Sequence, residues 1–559
     1  MSPLAPWLVP LPDAETMRAI DRWAIEEQGV ASLDLMERAG AGVARALERL
    51  APDGPVSVVC GKGNNGGDGL VAARLLRDAG RPVTVVCVVP PSELTGDARA
   101  NLERLPGEPP VRLSGEPWTG QAVEETDAPG SAAAELFDAR TTIVDALLGT
   151  GFQGDRSEIS QRGAVSAAIE AINAGGAHVV SVDVPSGVDA STGVVRGAAV
   201  RASLTVTFHA AKPGLWISPG KAHTGEVQVI DIGIPRGAPG GASVGLIAPS
   251  VLEQLPRRDA RATKFTSGHV IVAGGSRGLS GAPRMAAEAS MRAGAGYVTA
   301  CVPASLQELL AGAGTPEMMT RGLPDDDGAL TADAVGGVLE ASARGGSLAL
   351  GPGLGRSDGA FAFARTLAGV ADVAMVLDAD GLNAHAGRLN ELRTRSAPTV
   401  LTPHAGELGR LLELDSSEIE RERLRHVRIA AEQAQAVVVL KGDDTLIADP
   451  DGTVAVSPGG APALATAGTG DVLSGVIAAL LAAGLGAFAA AAAGVWLHAE
   501  AGREAARRLG GPEGVIASDV IAALPVARSR AGRVRRSDAR ATRVRGADGE
   551  RRGKARGDG

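Results

Sequence analysis

VSVVCGKGNNGGDGLVAARLLRDAG (56–80) decides the fold. VSVVC (56–60) is uncharged and rich in valine, as expected of a strand covered on both faces. In GKGNNGGDG (61–69), glycines let the chain turn sharply and bring backbone N–H groups close to a ligand. LVAARLLRDAG (70–80) then reads as a helix, and a helix N-terminus favours an anion. Strand, glycine turn and helix in that order open a parallel α/β unit. PVTVVCVV (82–89) supplies the next strand.

Working outward, further strands are expected at TTIVDAL (141–147), HVVSVDV (178–184), LTVTFHA (204–210) and VQVIDI (227–232). The stretch 106–133, rich in Pro, Gly and Glu, reads as a loop, and RGAPGGASV (236–244) as a linker. A second series follows: HVIVAGGS (269–276), a helix over 283–293, YVTACV (297–302), SLALG (347–351), VAMVLDAD (373–380), TVLTPH (399–404), AVVVLKG (436–442) and TLIADP (445–450). No repeat relates the halves. The 559 residues therefore divide into two different α/β domains, 1–240 and 246–526, with a basic tail, 527–559.

Composition narrows the function. Hydrophobic residues at 45% and charged residues at 21% exclude a fibrous or wholly disordered chain. Cys60, Cys87 and Cys301 are odd in number and far apart in sequence, which excludes a disulfide scaffold and fits a reducing cytoplasm. From Arg528 onward twelve basic residues stand against four acidic ones, so the net charge of −9 hides a body of about −17. A body that acidic is a poor partner for nucleic acid, and the tail, almost without large apolar residues, is expected to be disordered. The proline-rich start MSPLAPWLVPLPDAE (1–15) has no basic region and is not read as a signal peptide. Val472–Leu497 carries no charge, yet its Ala and Gly content and the break AAGLGAF predict two buried helices rather than a membrane span.

The polar residues cluster at strand ends, where open α/β sheets bind ligands. GKGNNGGDG contains a G-x-G-x-x-G spacing, but the next strand ends without the ribose-binding acid, and Lys62 is followed by glycine, so neither a Rossmann fingerprint nor a P-loop is met. Asn64, Asn65 and Asp68, with Asp145 of DALLGTGFQGD (145–155) and Asp183 and Ser186 of VDVPSGVDASTG (182–193), form an oxygen-rich set suited to a hard cation. In the second half, AGTGDVLSGV (467–476) sets Gly468, Thr469 and Gly470 at a helix start, an anion hole for a phosphate in transfer. Asp471 there can take the proton of an attacking hydroxyl, or simply cap the helix. KGDDT (441–445) is a strand-end loop able to hold a nucleotide, and His404 is either a ligand or a capping histidine. GGSRG (274–278) spells a nucleophile elbow, but GLSGAP separates it from its helix, which rules out that hydrolase geometry.

Together, LMERAG (35–40), GKGNNGGDGLVAARLL, DALLGTG, VDVPSGVDASTG and TFHAAKPGL resemble the NAD(P)H-hydrate epimerase domain. GGSRGLSGAP, RAGAGYVT, GPGLG, LDADGLN, LTPHAGEL, KGDDT and GTGDVLSG resemble the ADP-dependent NAD(P)H-hydrate dehydratase domain of the ribokinase-like superfamily. The resemblance covers about residues 13–525. It implies a Rossmann-like three-layer domain followed by a ribokinase-like α/β domain, and a bifunctional repair family acting on hydrated NADH and NADPH (NADHX and NADPHX).

Carried over, it implies that Asn64, Asn65, Gly66, Gly67 and Asp68 contact the hydrated nucleotide, that Gly149, Thr150, Gly151, Phe152, Gln153, Gly154 and Asp155 hold its phosphates, and that Asp183 also meets it. Asn65, Asp145 and Ser186 would bind K+. In the dehydratase, Ala282, Gly353, His404 and Asp471 would contact substrate, and Lys441, Gly442, Asp443, Asp444, Thr445 and Gly470 the ADP, whose phosphates carry Mg2+. Asp471 would deprotonate the hydroxyl as it attacks the β-phosphoryl group. Phosphate then leaves far more readily than hydroxide, giving AMP, phosphate and the restored dinucleotide. Asp183 or Asp145 would serve the epimerase as acid and base. The family further implies a cytoplasmic homo-oligomer acting on small molecules, with neither nucleic acid nor membrane as partner. The competing reading is a ribokinase-like vitamin or sugar kinase fused to a non-catalytic nucleotide-binding domain.

Overall fold

In a computed structural model the described residues are 4–113, 136–152, 163–313 and 315–530. They form two compact units, one built on Pro10–Gly245 and the other on Leu246–Ile419 and Arg423 onward, the latter joined by Ala5–Val9.

The first unit is a six-stranded, wholly parallel sheet in the order Val83–Cys87, Val56–Cys60, Thr142–Ala146, His178–Val182, Leu204–Phe208, Glu226–Ile230. Side chains alternate across it. Val56, Val58, Cys60, Val144, Val180 and Val206 pack with Met17, Leu47, Leu70 and Leu76 from the helices on one face. Val59, Val86, Ile143 and Val179 pack with Val165, Ile169 and Ile172 on the other. The expected three layers follow from this alternation. Because Val56–Cys60 lies between Val83–Cys87 and Thr142–Ala146, chain direction across the sheet reverses there, opening a crevice at the strands' C-terminal ends. Cys60 and Cys87, 27 positions apart in sequence, are register partners on adjacent strands, though both thiols are free and buried.

The second unit holds an eleven-stranded sheet. Seven strands, from Val437–Leu440 through Thr399–Leu401, Ala374–Leu377, Ser347–Leu350, His269–Ala273 and Tyr297–Pro303 to Met318–Leu323, are parallel. Leu446–Ala448 and Val454–Val456 extend it antiparallel. The edge strand Leu8–Pro10 belongs to this sheet, although residues 1–240 were expected to stay together. The uncharged stretch resolves into helices Thr469–Ala482 and Ala487–Leu509, and no helix among the described residues is long and apolar enough to cross a membrane. The tail begins later than 527: a helix runs to 530, Ala527 is buried, and Arg528 donates to the carbonyls of Ala293 (2.6 Å) and Pro256 (2.5 Å). Residues 531–559, and 114–133 of the expected loop, lie outside the described residues.

Candidate active sites

In the first unit the glycine turn is shaped by close backbone approach. A Cβ on Gly61 would lie 2.0 Å from the Leu147 carbonyl oxygen, and one on Gly66 would lie 2.0 Å from that of Gly61. On Gly149 it would meet Asn65 Oδ1 at 2.9 Å. Asn65 Nδ2 donates to the Leu148 carbonyl at 2.9 Å, tying the helix Asn64–Asp78 to the loop after Thr142–Ala146. Asp145, fully buried, accepts from Ser186 Oγ (2.6 Å), Ser186 N (2.9 Å) and Ser181 Oγ (2.8 Å). Burial raises its pKa above the ordinary carboxylate value, and these hydrogen bonds only partly oppose that.

Asp183 takes a left-handed φ of +66°, an uncommon conformation for a residue with a side chain. Its Oδ2 accepts from Thr150 N at 3.1 Å. Its Oδ1 accepts from Lys212 Nζ at 2.6 Å and from Thr207 Oγ1 at 3.2 Å. Lys212 is only 1% exposed and also donates to Thr207 Oγ1 (2.8 Å) and the Phe208 carbonyl (3.1 Å). Asp68 and Asp21 share this field, and both are raised by burial first and by Asp183 among their neighbours. Thus Asn65, Asp68, Asp145, Gly149, Thr150, Asp183 and Ser186 converge. Phe152 is buried and Asn64 and Gly151 are exposed, while Gln153, Gly154 and Asp155 lie outside the described residues. Sequence reading assigned no role to Lys212 or Asp21. The signal for the lysine was its place in TFHAAKPGL, directly after a buried strand.

In the second unit, helix Thr469–Ala482 packs on Gly281–Ala293. A Cβ on Gly475 would lie 2.1 Å from the Ala286 carbonyl oxygen, and Ser290 Oγ donates to the Gly475 carbonyl at 2.9 Å. Ser347 Oγ donates to the Ala478 carbonyl at 2.7 Å, tying the helix to the first residue of strand Ser347–Leu350. Gly468, at φ +88°, turns the chain into it and leaves Asp471 in the first turn. Burial, then Asp378, push the Asp471 carboxyl up to about 7, with Lys441 opposing. Lys441 Nζ bonds Asp378 Oδ1 (3.1 Å), lies 3.6 Å from Glu407 Oε2, and would be 3.6 Å from a Cβ on Gly470. Burial works against its charge, but Asp378, Glu407 and Asp471 together raise its pKa. Asp378, 2% exposed, also accepts from Ser474 Oγ at 2.7 Å.

His404 caps helix Ala405–Leu412: its Nδ1 accepts from Gly406 N (3.0 Å) and Glu407 N (3.3 Å), while Glu407 Oε2 accepts from His404 N (2.9 Å). The capping role is therefore real, and it also fixes the tautomer. A neutral ring with an accepting Nδ1 carries its proton on Nε2, available to a ligand. Burial lowers the His404 pKa, favouring that neutral form. Gly353, at φ +63°, would bring a Cβ to 3.0 Å from Ala282 Cβ, so these two positions meet. In the loop after Val437–Leu440, Thr445 Oγ1 donates to the Gly442 carbonyl (2.7 Å) and Asp443 Oδ1 accepts from Gly460 N (3.0 Å). Asp444 is buried against Arg423, whose Nε donates to it at 3.2 Å and whose Nη2 donates to the Lys441 carbonyl at 3.2 Å. Asp444 thereby shapes the loop. Sequence reading assigned no role to Arg423, Asp378 or Glu407.

These two constellations, a carboxylate–lysine crevice on a Rossmann-like sheet and a carboxylate at a glycine-led helix start, define a two-domain nucleotide-handling protein. The YjeF-related protein N-terminus family matches residues 32–214, and the NAD(P)H-hydrate dehydratase family matches 270–525. The chain is 41% identical over 453 residues to the bifunctional NAD(P)H-hydrate repair enzyme Nnr of Salinibacter ruber, spanning 79% of this chain and 82% of that one. With its namesake from Moorella thermoacetica it shares 41% over 447 residues, 78% and 81% of the two chains. The chain belongs to the bifunctional NAD(P)H-hydrate repair enzyme family. Among solved structures, it is similar to an ADP/ATP-dependent NAD(P)H-hydrate dehydratase from Bacillus subtilis co-crystallized with ATP/Mg2+, at 29% identity and TM-score 0.43 over 50% of this chain and 96% of that one.

Proposed function

We propose that the first unit interconverts the two C6 epimers of hydrated NADH or NADPH, and that the second dehydrates one of them at the expense of a nucleoside diphosphate. The observation that carries the reading is the Asp471 carboxyl. At about 7 it exchanges a proton near neutrality, and it stands at a helix start beside Lys441. Asp471 takes the proton of the C6 hydroxyl as that oxygen attacks the β-phosphoryl group. The Gly468–Gly470 turn meets the phosphate with backbone N–H groups, and Lys441 offsets its charge. His404 offers a hydrogen bond from Nε2. The ring nitrogen's lone pair then expels phosphate, C5 loses a proton to solvent, and the reduced ring is restored.

In the first unit Asp183, held by Lys212 and reached by Thr150 N, is the better acid/base candidate. Asp145 is fully buried with its oxygens engaged by Ser181 and Ser186, which suits a ligand-holding role instead. Asp145, Ser186, Asn65 and the Leu148 carbonyl make a hard oxygen set with one buried negative charge, and these residues fit K+. Bound there, the ion would offset the Asp145 charge and firm the loop facing the substrate phosphates. Mg2+ in the second unit would neutralise the nucleotide phosphates. The three buried free thiols fit the reducing cytoplasm expected from sequence.

The test is Asp471→Ala in the full chain. Dehydration should vanish while ADP binding and epimerisation persist. Retained dehydration refutes the assignment.

A further inference from the structure

One carboxyl of the first unit has no part in the proton transfers above. Asp68 stands in the second turn of helix Asn64–Asp78, is 9% exposed, and accepts no hydrogen bond among the described residues. Helical side chains tilt toward the N-terminus of their helix, so Asp68 is aimed toward the Asn64–Asn65 turn and the crevice. Among the described residues, the charges that act on it are those of Asp183 after strand His178–Val182, Lys212 after strand Leu204–Phe208, and Asp21 of helix Ala14–Arg22. Lys212 is committed to Asp183 at 2.6 Å, so among the described residues Asp68 has no cation of its own. Burial, then Asp183 and Asp21, push its pKa well above the usual carboxylate range, and Lys212 opposes them less strongly.

We propose that Asp68 is the proton donor of the epimerisation and that Asp183, held by Lys212, is the acceptor. This rests on reading the first unit as an epimerase. Asp68 gives its proton to the C6 hydroxyl, the C6–O bond breaks, and water leaves. The ring nitrogen's lone pair becomes the second bond of N1=C6. Water then adds to the opposite face of C6, its proton passing to Asp183, and the nitrogen regains its lone pair. One water leaves and one enters, and one proton moves from Asp68 to Asp183. The reverse reaction returns it, so the two carboxyls alternate in the two directions.

The experiment uses the full chain in 18O-labelled water without ADP, with the epimers of hydrated NADH separated by chromatography. Wild type should incorporate label at C6 with each epimerisation. Asp68→Asn should slow epimerisation about a hundredfold or more and abolish the alkaline limb of the pH–rate profile, while the chain stays folded and at least as stable to heat as wild type at neutral pH. Epimerisation without label, or an Asp68→Asn rate within about threefold of wild type, overturns the proposal. If Asp183→Asn fails while Asp68→Asn works, the donor is wrong but the epimerase reading stands. If wild type is no faster than buffer, the epimerase reading itself falls, and the proposal with it.

Discussion

Replacing Asp471 by asparagine should stabilise the second unit, by an amount that depends on pH. The ordinary aspartate value is 3.8 and the folded value is about 7. Between these pH values the native state holds a proton that the unfolded state has lost. Stability contributed by the protonated carboxyl is thus fully present below 3.8 and is lost as pH rises to about 7. Three pH units at 1.36 kcal/mol each put the cost of ionising Asp471 in place at about 4 kcal/mol. Wild type should therefore fall behind Asp471→Asn by up to about 4 kcal/mol from pH 4 to 7, and by no more above it. Hydrogen exchange of the slowest amides in helix Thr469–Ala482 reads this for the second unit alone. The same proton governs catalysis: wild-type kcat/KM for dehydration should rise about tenfold per pH unit below 7 and level off above. A stability gap independent of pH, or one in which wild type gains on the variant with rising pH, would show that the native fold does not hold a proton on Asp471.

Lys212→Met would leave Asp183 buried without its cation. It should destabilise the first unit by about 3–5 kcal/mol and abolish epimerisation, with Lys212→Met/Asp183→Asn recovering stability but not activity; thermal unfolding and chromatography of epimers check both. Arg423→Met removes a buried cation from beside Asp444 and the support from the Lys441 carbonyl. A loss of about 3–5 kcal/mol in the second unit and a rise in the KM for ADP are expected, with the KM for the hydrate less affected.

The layered fold was readable because its strands are short apolar runs bounded by glycine and by polar strand ends. VSVVC and SLALG could hardly be anything but covered strands, and side-chain alternation then places a helical layer on each face of the first sheet. The site loops were readable for the same reason, since Asp145, Asp183 and Asp471 stand where strands or glycine turns end. Partnerships across the fold were not. A lysine is usually read as solvated, and nothing local to TFHAAKPGL says that Lys212 is buried beside an aspartate 29 positions earlier. Asp444 looks like a loop carboxylate until Arg423, 21 positions away, is found beneath it. Cys60 and Cys87 became neighbours only through strand register. Leu8–Pro10 joins the second sheet through pairing that its proline-rich context conceals.

Two activities in one chain are tested most directly by presenting the full-length protein with a mixture of both hydrate epimers, ADP and Mg2+, while following the reduced-nicotinamide absorbance. Complete recovery of both epimers, faster than their spontaneous interconversion, is expected. Recovery that stops at one epimer would contradict the assignment of the first unit. A stable phosphorylated alcohol with no recovery would contradict that of the second and favour the kinase.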